Sequence, residues 1–185
     1  MKAGWDPGFH AYDVYRYKME KVRFFNTTRP YSELNYLIGG RAEQIIEVFH
    51  TQNRKPNWNL SFGYRLIGTP GYFKNQKAGH NNYILTNWYQ SKAKRYNNYF
   101  VVLANVIKSG ENGGFNATGN YLSSPDYKDR SLIPVRLGGD QGYSANFLKT
   151  NIITGNQYTD LTLLMRQQYD LGRKDSLVTD SSVVP

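Results

Sequence analysis

The stretch PNWNLSFGYRLIG, Pro56 to Gly68, constrains the fold of this chain more than any other. Trp58, Leu60, Phe62, Tyr64 and Leu66 form an unbroken apolar row at a spacing of two. Asn57, Asn59, Ser61, Gly63 and Arg65 fill the positions between them. Successive side chains of a strand point to opposite faces of a sheet, so this segment has one greasy side and one wet side. The greasy side meets either the core of a soluble sandwich or lipid.

Composition narrows the membrane option to one architecture. No run of about 18 apolar residues occurs, which excludes a transmembrane helix. Any membrane span therefore has to be a β-barrel, the other structure that satisfies its backbone internally. Aromatic residues reach 15%, with 16 Tyr, and such residues favour strands and membrane–water boundaries. The absence of cysteine removes disulfides, thiol nucleophiles and thiolate metal sites. The opening MKAGWDPGFHAYDVY lacks the charged start and apolar run of a signal peptide. Either the protein is not exported or the chain begins downstream of its true start. The net charge of +9 raises a nucleic-acid reading. Its cations are scattered, however, over Lys74 and Lys77, then Lys92, Lys94 and Arg95, then Lys128 and Arg130. That distribution reads as solvated loops and strand ends, with no nucleic-acid partner.

Seven strand candidates follow a lead at residues 1–30: Tyr31–Ile38, Glu43–Gln52, Asn57–Ile67, Asn81–Gln90, Arg95–Ile107, Tyr143–Ile153 and Leu161–Leu171. None contains an internal proline, as laddered strands require. Long connections, 68–80 and 108–142, alternate with short ones, including Thr154–Asp160. In an antiparallel series this places the long loops at one end and the tight turns at the other, the asymmetry of outer-membrane barrels. An eleven-residue strand is roughly 36 Å long. Tilted by about 45°, it covers roughly the 25 Å apolar band of such a barrel. The expected fold is thus all-β, an antiparallel up-and-down meander forming residues 31–185 of a partial transmembrane β-barrel.

No catalytic constellation emerges. His10, His50 and His80 lack metal-ligand spacing. The glycine-rich Gly110–Gly114 lacks the Lys-Ser/Thr ending of a phosphate cradle. Asp126 and Asp129 do not follow the calcium-loop pattern. Glu43 and Glu47 are too far apart on a strand to share a proton. The chain reads as a non-enzyme with no cofactor and no metal. Arg65 stands out on the wet row. Its guanidinium either lines a lumen and favours anionic solutes or snorkels to water from a strand end.

The segment from Arg23 onward resembles the porin family of Bacteroidetes outer membranes. It carries an N-T-x-x-P-[YF] pattern at Asn26, Thr27, Pro30 and Tyr31, then G-x-x-x-E-Q at Gly39, Glu43 and Gln44. H-[ST]-Q-N-x-x-P-N-W-N follows, from His50 through Thr51, Gln52, Asn53, Pro56, Asn57 and Trp58 to Asn59. GYFKNQKAGHNNY, SKAKRYN, ENGG, SLIPVRLGG and QQYDLGRKDSLV continue the likeness in order. The resemblance implies export to the cell outer membrane, contact with its lipid, and passive passage of small hydrophilic solutes. Members of that family are longer, with a signal peptide in front and more strands behind. The chain is therefore expected to be an N-terminal piece whose remaining barrel strands are missing, and which lacks transport activity by itself. On this reading Trp58, Leu60, Phe62, Tyr64 and Leu66 face lipid, and Asn57, Asn59, Ser61 and Arg65 face the lumen. His50 is expected to be structural.

Two other readings stay open on the residues alone. One is a soluble, secreted β-rich domain binding glycans through exposed aromatics. The other is a single-strand nucleic-acid binder that pairs basic with aromatic side chains.

Overall fold

A computed structural model describes residues 10–116, 118–121, 123–139, 152–172, 177–179 and 182–184. Six strands form one antiparallel sheet: β1 (Tyr31–Ile38), β2 (Gln44–Lys55), β3 (Trp58–Thr69), β4 (Ala78–Gln90), β5 (Tyr96–Gly110) and β6 (Gly155–Tyr169). Spatial order equals sequence order, so the sheet is a plain up-and-down meander. β7 (Leu177–Thr179) and β8 (Ser182–Val184) pair only with each other. Among the described residues helical structure is confined to four 3₁₀ turns, at Met19–Lys21, Gly40–Ala42, Pro125–Tyr127 and Arg130–Leu132. The chain is thus all-β, and its open sheet is a partial barrel wall.

The strands are long because their ladders run past the points where apolar side chains stop. β4 begins at Ala78 and β5 ends at Gly110, each three residues beyond its expected limit, because Ala78 opposes Ser109 and Gly110 opposes Gly155. Thr154–Asp160, expected as a turn, is mostly β6, with Gly155 through Asp160 paired to Gly110 through Asn105. Ladder bonds are made by the backbone, so the polar side chains of Asn156, Gln157 and Thr159 do not interrupt them. Gly155 permits the close start of this pairing, since a Cβ there would lie 2.1 Å from the Ser109 carbonyl oxygen. The sixth candidate, Tyr143–Ile153, falls outside the described residues except for Ile152 and Ile153, which are not in a strand.

The short turns after β2 and β4 share one end of the sheet, as expected, while the expected turn at Thr154–Asp160 is strand. Pro56–Asn57 and 91–95 close one end of the sheet. The links 39–43 and 70–77, the end of β5 and the start of β6 lie at the other.

Register divides the side chains into two faces of opposite character. One carries Leu34, Tyr36 and Ile38 of β1, Ile46 and Val48 of β2, and the Trp58–Leu66 row of β3. It continues through Tyr83 and Leu85 of β4, Phe100, Val102 and Val106 of β5, and Leu161, Leu163 and Met165 of β6. Large parts of it are open to solvent: Leu34 is 71% exposed, Leu163 62% and Phe62 43%. The opposite face holds most of the core, Leu66 being buried on the apolar one. Val101, Leu103 and Ile107 are buried there together with Thr51, Asn59, Ser61, Asn82, Thr86 and Asn105. A soluble sheet buries its apolar face and wets its polar one. This sheet does the reverse.

Candidate functional site

The polar face is organised around a single row that crosses all six strands. Asn35 opposes Glu47, Glu47 opposes Arg65, Arg65 opposes Asn82, Asn82 opposes Asn105 and Asn105 opposes Asp160. Residues directly opposite in an antiparallel pair lie on the same face within side-chain reach. Four of the six accordingly form a chain of bonds. Arg65 Nε donates to Asn82 Oδ1 at 3.3 Å, Asn82 Nδ2 to Asn105 Oδ1 at 2.7 Å, and Asn105 Nδ2 to Asp160 Oδ2 at 3.0 Å. Arg65 also approaches Glu47 at 3.8 Å.

What covers this row is the N-terminal lead. Residues 10–30 have no strand, yet they run across the polar face as a strap tied down at several points. The Tyr17 amide donates to Asn105 Oδ1 at 2.9 Å, and Asn105 Nδ2 returns a bond to the Tyr17 carbonyl at 3.1 Å. Arg65 Nη2 donates to the Tyr15 carbonyl at 2.6 Å, and its guanidinium lies 4.6 Å from the Tyr17 ring centre. Arg16 bridges Asp13 at 3.2 Å and Asp160 at 3.7 Å. The asparagine amides therefore do for the strap what a neighbouring strand would do, satisfying backbone groups that burial takes from water.

Farther along, Phe24 packs on Tyr99 and Phe25 on Phe49, with ring centres 5.0 and 4.9 Å apart. Phe49 faces Gly63 across the β2–β3 pair. A Cβ on Gly63 would meet Ile84 Cγ2 at 2.6 Å, so glycine leaves room there for its neighbours. The strap then reaches a second polar cluster. Asn53 Nδ2 donates to Asn26 Oδ1 at 2.7 Å and the Thr27 amide donates to Asn53 Oδ1 at 3.1 Å. Asn59 Nδ2 also reaches Asn53 Oδ1, and the Ser61 hydroxyl donates to Thr51 Oγ1 at 2.8 Å. Asn26, Thr27, Thr51, Asn53 and Asn59 belong to the sequence patterns that mark the resemblance. The fold brings them together as the anchor of the strap.

Charge also ties the strap to itself. Asp13 accepts a hydrogen bond from Lys18 Nζ at 2.8 Å, and its carboxyl is held below the usual carboxylate range by that bond first, with His10 and Arg16 adding to the effect. Burial pushes the Tyr17 phenol above its ordinary value, outweighing the neighbouring Arg65. Tyr17 therefore stays neutral on the buried face.

The candidate residues from the sequence sort as follows. Trp58, Leu60 and Phe62 stand exposed on the apolar face; Tyr64 is half-buried, and Leu66 is only 5% exposed. Asn59 and Ser61 lie on the polar face, buried in the anchor cluster. Asn57 sits in the β2–β3 turn, where its Nδ2 holds the Gln90 carbonyl at 2.5 Å. Arg65 is neither at a strand end nor reaching for bulk water, because its side chain is 18% exposed and engaged on four sides. His50 is hydrogen-bonded through Nδ1 to the Ser32 hydroxyl across the β1–β2 pair at 2.7 Å, a contact that joins two strands.

Sequence reasoning missed the strap and the row beneath it. A usable signal existed in Asn105 of β5, placed between Leu103-Ala104 and Val106-Ile107. Among the described residues no group of three or more His, Asp or Glu is placed to hold a metal ion. None of the described helical turns is long and apolar enough to cross a membrane. A family model described as "Putative porin" matches residues 2–184. No curated protein and no solved structure matches the chain.

Proposed function

The chain belongs to the porin family whose model it matches, and from that membership we propose that it builds the wall of an outer-membrane β-barrel for passive passage of small hydrophilic solutes. The observation that supports this most is the exposed apolar face of the sheet. Soluble monomers rarely leave a contiguous apolar patch above a few hundred Å², and here side chains from β1 to β6 form one. Lipid is the solvent in which such a face costs nothing. From Trp58 to Leu66 the row covers about 26 Å of strand. At a tilt of about 40° that is about 20 Å of membrane, near the ~25 Å band of known barrels. Aromatic residues flank it, with Trp58 and Tyr89 towards the turn end and Tyr36, Tyr64 and Tyr83 towards the loop end, where amphipathic rings meet headgroups.

On this reading the polar face lines the lumen, strands β1 to β6 form the wall, and the strap at residues 10–30 is its lining. Passage involves no chemical step and no cofactor. β1 and β6 end the sheet order, and free edges cannot sit in lipid. Six strands are also fewer than the smallest barrels use, so closure draws on strands beyond this sheet.

The test uses single cysteines, each unique because the chain has none of its own. Phe62→Cys, Leu163→Cys and Asn35→Cys are labelled with a fluorophore and the protein is placed in vesicles with brominated acyl chains. Quenching at positions 62 and 163 but not at 35 is the expected result. Absence of quenching at 62 and 163, with the protein left in the aqueous phase, would replace this reading with the soluble, glycan-binding one.

A further inference from the structure

Between the strap and strands β1 to β4 lies a cavity of about 400 Å³, within the size range of small-molecule sites. Its walls combine two kinds of surface. The apolar part comes from Val22, Phe25, Phe49 and Ile84. The charged part is lopsided: Arg16, Lys18, Lys21 and Arg23 of the strap and Arg65 of β3 face it, against Glu33 and Glu47.

Ion pairs account for three of the five cations and for Glu47, and leave two cations and one carboxylate in the lining. Arg16 and Lys18 are paired with Asp13, and Arg65 with Glu47. Glu33 accepts bonds from the Tyr31 hydroxyl and Asn35 Nδ2. Neither Lys21 nor Arg23 has an ion-pair partner among the described residues, and both side chains are exposed. Two cations without ion-pair partners outnumber the one remaining carboxylate, Glu33, and beside an apolar wall they favour an anionic headgroup on a short carbon body.

We infer that this cavity is a binding site for small organic oxyanions, with Lys21 and Arg23 as the residues that select charge. The inference names the solute class of the proposed lumen and rests on that reading, since only there does the site lie on a transport path. Arg65 serves it indirectly, by holding the Tyr15 carbonyl and so fixing the strap that carries the selecting cations.

The experiment has two arms on the full chain. In detergent, succinate and its uncharged diamide are titrated against the protein by calorimetry or by amide NMR shifts. Saturable binding of succinate alone is expected, weakened roughly tenfold in Lys21→Gln/Arg23→Gln. Lys55→Gln/Lys92→Gln removes the same charge at the turn end and should leave binding unchanged. Equal response to succinate and diamide, or an equal loss in both double variants, overturns the site. Solution NMR of each variant reports whether the sheet is intact. The second arm measures reversal potential under a potassium succinate gradient across a planar bilayer holding the barrel completed by its closing strands, because six strands alone form no channel. Channels that favour potassium would overturn the inference while keeping the porin reading. Succinate binding in detergent without any channel would do the opposite, keeping the site and removing its place on a transport path.

Discussion

Replacing Asn105 by alanine should release the strap while leaving the sheet standing. The Asn105 side chain makes four hydrogen bonds, two within the sheet to Asn82 and Asp160, and two to the strap, at the Tyr17 amide and carbonyl. Only the last two bear on docking. In the undocked state both Tyr17 backbone groups bond to water. In the docked state of the variant they face a methyl group, in a place where Asn105 was 0% exposed. Each buried group left unsatisfied costs about 1–3 kcal/mol. Water entering the space vacated by the amide recovers part of this, so the expected loss is about 2–4 kcal/mol, or roughly 30- to 1000-fold in the docking equilibrium. Hydrogen–deuterium exchange of the full chain reads this directly, because the Tyr17 amide is protected only while docked. Exchange at Tyr17 should accelerate by that factor, with the ladder amides of β3 and β4 retaining their protection. Tyr17 exchange within about threefold of the unmodified protein, in a variant whose ladder remains protected, would refute the assignment of Asn105 as the clamp.

Two further perturbations probe the packing beneath the strap and the charge within it. Gly63→Ala places a Cβ 2.6 Å from Ile84 Cγ2 and should lower stability by about 1–3 kcal/mol, read from the denaturant midpoint; combining it with Ile84→Ala should recover part of the loss through the shared space. Asp13 has a carboxyl pKa held down by Lys18, so its contribution to the strap is fully present above the ordinary carboxylate value and is lost as pH falls through the lowered one. Exchange protection at Tyr17, corrected for intrinsic rates, should therefore hold from neutral pH to about 5 and decline below about 4, the ordinary carboxylate range; in Asp13→Asn the Asp13-dependent part of that decline should vanish.

The alternation at Trp58–Leu66 determined a great deal without any coordinates. A period of two admits only a strand with unlike faces, and strands paired as antiparallel neighbours would sort the connections by length between the two ends. The β1 boundaries coincide with Tyr31–Ile38 as expected. The stretch 155–160 was illegible because Asn156, Gln157, Thr159 and Asp160 have the composition of a turn. Their strand character comes from the partner ladder of β5, which no local pattern encodes.

The sequence by itself therefore settled that Trp58–Leu66 is a two-faced strand, since side-chain alternation is a local property of the backbone; in the other strands the alternation is only partial. Only the tertiary structure decided which face is covered and by what. A single strand shows Arg65 as a lone cation on a wet row. Pairing six strands in register turns it into one member of the row from Asn35 to Asp160, and the strap then covers that row with backbone groups from residues 15 and 17. Those contacts join positions up to 88 apart, and their partners on the strap are main-chain atoms, which carry no signature in the sequence of side chains.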